Sequence, residues 1–343
     1  MRTTRARRPA PAAAVGAAAL ALALTGCSGG GQSTSGHGPI SITFLQKQGD
    51  QGYFVDEAAG AKAKARELGV ELTVVNVGND RDRSLAEAKK AIDNKTSGLI
   101  AVVPDPSAGP ELVALTRQAG LPLLSADDQI CADYTDPSAC FTKGLVPRVG
   151  FNGATMGAAV GERAATEYTK AGWKAADTWT LSIGNSDIPV CRDRMNAAVD
   201  AFSVHAGAVL KTAKVWTENT VEDAHHRTAY TLAPKPGVKH WVVWGCNDED
   251  TEGGIQALTE AGFGPDNIIG MGIGAYLACK DWLPGKPAAM RAALLLKGSE
   301  VGALAVQQMV DRLKDGKELP HETTVPATMV DPSNWQASGA VCT

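Results

Sequence analysis

The sequence has no apolar run long enough to cross a membrane, no Cys-x-x-Cys pair and no surplus of positive charge. Its main apolar stretch, Ala10 to Leu24, is shorter than the roughly 18 residues that a spanning helix needs. Without Cys-x-x-Cys, zinc binding and dithiol redox chemistry both lose their usual sequence basis. With 33 Lys+Arg against 37 Asp+Glu, the net charge is −4, which gives no electrostatic footprint for nucleic acid. Enzyme signatures are also missing. The single Gly-x-Ser-x-Gly match, Gly26 to Gly30, falls on the lipobox and tether and forms no strand-to-helix elbow. Gly270 to Gly274 is glycine-rich, yet it departs from phosphate-binding fingerprints and lies far from a first βα turn. His225 and His226 are adjacent with no third ligand in evidence, as on a solvated helix face. Asp127 and Asp128 would suit a glycosidase only with another carboxyl facing them across a cleft. No metal, no cofactor and no catalytic activity are therefore expected.

At the start of the chain, Arg2, Arg5, Arg7 and Arg8 precede the Ala10–Leu24 run, the order of a secretory signal. Leu24-Thr25-Gly26-Cys27 reads as a bacterial lipobox, so residues 1–26 are expected to be removed and Cys27 to carry the lipid. Residues 27–38, mostly Gly and Ser after the cysteine, form a flexible tether. The remaining chain of about 317 residues has 29 basic against 37 acidic side chains, a net charge of −8. Its composition, 44% hydrophobic and 20% charged, is that of a folded protein, and its length suits two domains. Six further cysteines in an exported chain point to disulfides, with 15 possible pairings. Cys131 and Cys140 bracket a short polar loop and are the expected local pair. The pairing of Cys191, Cys246, Cys279 and Cys342 stays open, although Cys191 and Cys246 both precede candidate site residues.

From Pro39 onward, short apolar runs alternate with segments of helical spacing. Strands are predicted at Ile40–Leu45, Val70–Val77, Leu99–Val103 and Leu121–Ser125, with helices between them. A Ser84-x-x-Glu87 capping box is predicted to open the second helix. After the cysteine loop the rhythm restarts, with strands at Arg148–Phe151, Thr178–Ile183, Ala208–Trp216, Trp241–Trp244 and Ile268–Gly272. This is the pattern of an α/β protein with two doubly wound parallel-sheet lobes.

Ligands of such sheets sit beyond the carboxyl ends of the strands. Those ends carry Lys47, Gln51, Tyr53 and Phe54, then Asp127-Asp128, then Arg192 and Arg194, Asn219, and Asn247. Carboxylates accept, Arg and Lys donate, and Asn does both, so together they can satisfy a ring of hydroxyls. Tyr53 or Phe54 can cover an apolar C–H face. A polyhydroxylated ligand fits this set.

Lys47-Gln48, Tyr53-Phe54, Ala126-Asp127-Asp128-Gln129, Arg192-x-Arg194 and Val238-Lys239-His240-Trp241 leading to Asn247-Asp248 resemble the periplasmic L-arabinose-binding proteins. More widely, they resemble the sugar-binding proteins of bacterial ABC importers, with the type I periplasmic-binding-protein fold. The resemblance implies two lobes joined by a three-segment hinge: residues 39–151 plus 297–320, and 152–296 plus 321–343. It implies hinge closure over a sugar and an ABC permease as partner; the lipobox adds a lipid anchor on the outer face of the cytoplasmic membrane, and a monomer is expected. It assigns sugar contacts to Lys47, Asp128, Arg194 and Asn247, with Asp127 holding the arginine. Three positions depart from the pattern. Gln51 stands for an acidic residue, Val190 for a threonine and Gly274 for an asparagine, so L-arabinose is not the expected best ligand. Trp244 and Tyr276 are candidates to replace the missing contacts. A ligand-presenting sensor subunit is the alternative function, and a secreted glycoside-processing enzyme a more distant one. A sugar-responsive transcription regulator would need a basic helix-turn-helix where the lipobox lies.

Overall fold

A computed structural model describes residues 39–130, 146–232, 237–283 and 287–342. Cys27, the tether and the expected Cys131–Cys140 pair lie outside the described residues. No helix among the described residues is long and apolar enough to cross a membrane.

The first lobe is built on a parallel sheet of β1 (Ser41–Lys47), β2 (Glu71–Gly78), β3 (Gly98–Ala101), β4 (Leu123–Ala126), β5 (Arg148–Gly150) and β11 (Glu322–Thr324). Their order is β11-β5-β4-β3-β1-β2. Successive side chains of a strand point to opposite faces, and both faces here are covered. Leu99 joins the layer of Leu85 and Leu112, on α2 (Arg81–Asp93) and α3 (Gly109–Gln118). Ile100 joins the opposite layer with Phe54 and Val306, on α1 (Gly52–Leu68) and α9 (Gly298–Asp315). The predicted cap of α2 is corrected: Asp80 is the N-cap and accepts from Arg83 N at 2.9 Å, so the helix starts before Ser84. Ser84 instead donates its hydroxyl to the Asp80 carbonyl inside the first turn.

The second lobe contains β6 (Thr178–Gly184), β7 (Lys211–Trp216), β8 (His240–Gly245), β9 (Ile268–Gly274), β10 (Met290–Leu295) and β12 (Thr328–Val330), in the order β12-β10-β9-β8-β6-β7. Only β12 runs antiparallel, against β10. Around them lie α4 (Gly153–Ala171), α5 (Pro189–Ala206), α6 (Val221–Thr231), α7 (Asp248–Glu260) and α8 (Ala278–Trp282). The chain passes between lobes after β5, between β10 and α9, and between β11 and β12. Because β11 pairs with β5, residues 322–324 belong to the first sheet, which corrects the expected boundary at residue 321.

Two disulfides join Cys191 to Cys246 and Cys279 to Cys342. The first fastens α5 to the end of β8, and the second fastens the C-terminal segment to α8. They span 55 and 63 residues of sequence. Cross-links closing loops of that length restrict the unfolded chain, so reducing either is expected to cost about 2–4 kcal/mol of stability. Peptide mapping without reductant should recover both pairs, and thermal melts with and without reductant should show the loss. Free thiols at all four positions in the oxidised protein would contradict the pairing.

Candidate functional site

Strand ends of both sheets meet at a cavity of about 540 Å3, a figure that includes its open mouth. On the first-lobe side, β1 ends in Lys47, which is buried and donates from Nζ to Asp128 Oδ2 at 3.4 Å. The ammonium also lies 5.4 Å from the centre of the Phe54 ring. Gln46 Nε2 donates to the Phe54 carbonyl at 2.9 Å, fixing the first turn of α1 against β1. Tyr53 and Phe54 pack edge to face, 5.0 Å between ring centres, and both line the cavity. Tyr53 donates its hydroxyl to Asp127 Oδ1 at 3.1 Å. Asp127 follows β4 with φ of 62°, a left-handed conformation unusual outside glycine. Arg148 stabilises that corner by donating to the carbonyls of Asp127 and Phe151 and to Glu322.

On the second-lobe side, Arg194 projects from α5. Its helix approaches α4 closely because Gly157 has no side chain; a Cβ there would collide with the Arg194 carbonyl. Arg194 Nη1 donates to the Cys246 carbonyl at 2.7 Å, while its buried Nε has no partner. The expectation that Asp127 holds this arginine is thus corrected: no ion pair joins the two among the described residues, and the backbone after β8 fixes the guanidinium instead. Asn247 caps α7, accepting from Asp250 N at 2.9 Å, and donates from Nδ2 to the Asn219 carbonyl at 3.3 Å. Asn219 has φ of 58°, and its Oδ1 is buried without a partner.

Lys47, Gln51, Tyr53, Phe54, Asp127, Asp128, Arg194, Asn219, Asn247 and Gly274 all line this cavity. Arg192 lies elsewhere, on the wall of a wider, adjoining chamber that shares Lys47, Gln48, Ile188 and Asn219 with the cavity. Trp244 is buried in the core, where its Nε1 donates to Ser182 Oγ at 3.0 Å, so it replaces no ligand contact. Tyr276 does line the cavity. Sequence reasoning missed Ile188, Ile273 and Leu296 on the wall. Their only signal is position at the ends of strands or the start of a helix, and Leu296 follows a strand that was not foreseen.

Burial together with the neighbouring Asp128 pushes the Asp127 carboxyl up to about 6, against the pull of Arg194 and Lys47. Glu57, wholly buried on α1, is raised further by burial and by both aspartates. The cavity wall thus holds two fixed cations, Lys47 and Arg194, against the Asp127-Asp128 pair. It offers both donors and acceptors and has no cationic cluster of the kind an anion requires.

Residues 42–318 match the periplasmic binding protein domain. The chain belongs to this family. An ABC transporter L-arabinose-binding periplasmic protein of Azospirillum brasilense is 27% identical over 315 residues, 87% of this chain and 88% of its own length. The L-arabinose-binding periplasmic protein of Escherichia coli K12 is 26% identical over 235 residues, 68% of this chain and 70% of its own. Among solved structures, an ABC transporter periplasmic solute-binding protein from Actinobacillus succinogenes with bound D-allose superposes with a TM-score of 0.73. It is 19% identical, covering 87% of this chain and 99% of that one, a likeness of fold. The family's two-lobed α/β architecture is the one described above.

Proposed function

We propose that this chain is an extracytoplasmic solute-binding lipoprotein of an ABC importer, binding a monosaccharide or related polyol between its lobes. One observation carries the reading: Lys47 and Asp128 from one lobe and Arg194, Asn219 and Asn247 from the other, donors and acceptors together, line the same cavity. Buried polar groups are nearly always hydrogen-bonded, and a hydroxyl supplies a donor and an acceptor at once. The Tyr53 and Phe54 rings supply the apolar surface that a sugar's C–H face needs. The relatives named for L-arabinose support the substrate class. The action is binding and presentation to a membrane permease, not catalysis. Ligand contacts made to both lobes at once favour the closed arrangement by their differential affinity. Residues 1–26 act as the export signal and Cys27 as the lipid anchor, a reading supported by the charged start, the apolar run and the lipobox. The protein acts as a monomer on the outer face of the cytoplasmic membrane.

A thermal-shift panel of sugars and polyols tests this function, because a ligand that binds only the folded state raises Tm. At least one monosaccharide or polyol is expected to raise it at micromolar to millimolar concentration; a flat panel would count against the reading. Calorimetric titration then ranks L-arabinose, galactose, xylose, ribose, fucose and simple polyols. L-arabinose is expected to be surpassed, because Val190 offers no side-chain hydrogen bond and Gly274 only backbone. A site that lacks an expected partner leaves a ligand hydroxyl unpaired, which changes preference strongly. L-arabinose binding tightest by a clear margin would overturn that ranking.

A further inference from the structure

The cavity shares Lys47, Gln48, Ile188 and Asn219 with the wider chamber, whereas Ile273, Gly274, Tyr276 and Leu296, the last at the crossing into α9, line the cavity alone. Beside Tyr276 the two lobes touch through side chains. Gln51, the residue preceding α1 in the first lobe, donates from Nε2 to Glu249 Oε1 at 2.8 Å. The same amide reaches the Tyr276 hydroxyl at 3.4 Å. Tyr276 in turn donates to the Glu249 carboxylate, 2.7 Å from Oε2. Glu249 lies on α7 and Tyr276 just beyond β9, both in the second lobe. Gly274 has φ of 134°, and a Cβ there would collide with the Tyr276 ring, so the ring fills the space a side chain would take.

We propose that Gln51, Glu249 and Tyr276 form an interlobe bridge that closes the cavity beside the crossing into α9, making Tyr276, which lines the cavity, a size-selecting residue for the saccharide. The size selection rests on the function proposed above. Glu249 receives two donors, one from each lobe, so separating the lobes exchanges its charge-assisted contact with Gln51 for water. The bridge therefore favours closure before any ligand arrives. It also shapes what fits. With the Tyr276 hydroxyl and the Gln51 amide engaged, a substituent projecting toward Tyr276 meets a side chain whose polar atom is already bonded. A small pentose or polyol fits, whereas a ring carrying an extra exocyclic carbon there does not.

Two measurements on the whole exported protein test the bridge. Small-angle scattering of the ligand-free protein needs no sugar. Gln51→Glu, which places a second carboxylate against Glu249, and Tyr276→Phe, which removes the hydroxyl, should both increase the radius of gyration over wild type. A radius unchanged in both variants would overturn the bridge. Calorimetric titration of matched hexoses and pentoses against Tyr276→Ala should raise the hexose-to-pentose affinity ratio by about tenfold or more, the discrimination typical of one carbon in a tight pocket. If Tyr276→Ala does not fold, Tyr276→Leu serves the same comparison. An unchanged ratio in the folded variant would overturn the size-selecting role. If no sugar binds the wild type, the proposed substrate class has failed, while the scattering result still judges the bridge alone.

Discussion

Replacing Arg194 with alanine is expected to weaken binding of the best saccharide by about 1.5–3 kcal/mol, roughly 10-fold to 150-fold in Kd. The guanidinium is buried, anchored through Nη1 to the Cys246 carbonyl, and the side chain lines the cavity. A charged donor held in this way makes hydrogen bonds stronger than neutral ones. Its removal also leaves Asp127, already pushed up to about 6, without the positive charge that offsets its burial. Arg194→Lys keeps the charge but loses the planar fork and should recover only part of the affinity. Calorimetry on the folded variants checks this, with Tm confirming that the fold is intact. Unchanged affinity in Arg194→Ala would show that the arginine is a structural residue of α5.

The second large effect concerns pH. Asp248 and Asp250, on the first turn of α7, are fully buried, and burial with the nearby Glu249 pushes both up to about 7, against their hydrogen bonds from backbone and Thr217. Each has one carboxyl oxygen without a partner, Asp248 Oδ1 and Asp250 Oδ2. In the unfolded chain both would titrate near 4. Between those values the folded state holds more protons than the unfolded one, so stability falls as pH rises. The contribution is complete below about pH 4 and is lost as pH climbs through about 7, with a slope approaching 1.4 kcal/mol per pH unit for each group. Glu57, raised by burial and by Asp127 and Asp128, acts in the same direction. The melting temperature should therefore be several degrees higher at pH 5 than at pH 8. Asp248→Asn and Asp250→Asn, which mimic the neutral acid, should flatten that dependence. A protein more stable at pH 8 than at pH 5 would contradict the assignment.

Much of the site was legible because α/β sheets place ligands at strand ends, and Lys47, Asp127, Asp128, Arg194 and Asn247 occupy those ends in sequence order. The same logic could not foresee contacts made by backbone. That the Cys246 carbonyl rather than Asp127 anchors Arg194 depends on how α5 docks beside β8, which side-chain types do not encode. The interlobe bridge was equally hidden, since Gln51 and Glu249 are 198 residues apart and meet only when the lobes approach. In the fold, β10 was missed because Met-Arg-Ala-Ala-Leu-Leu is rich in good helix formers; burial between β9 and β12 overrides that preference. β11 and β12 have three residues each, too few to show an alternating pattern. The α2 cap was misplaced because Ser84 and Glu87 matched a capping box while Asp80, one turn earlier, was the better acceptor for an exposed helix start.

The central claim is that a saccharide lies between the lobes and is held by both. A crystal structure of the protein with the sugar that raises Tm most tests it directly. The expected result is one sugar in the cavity, with hydroxyls hydrogen-bonded to Arg194 and Asn219 or Asn247 from one lobe and to Lys47 or Asp128 from the other. A sugar found outside this cavity, or touching only one lobe, would contradict the account.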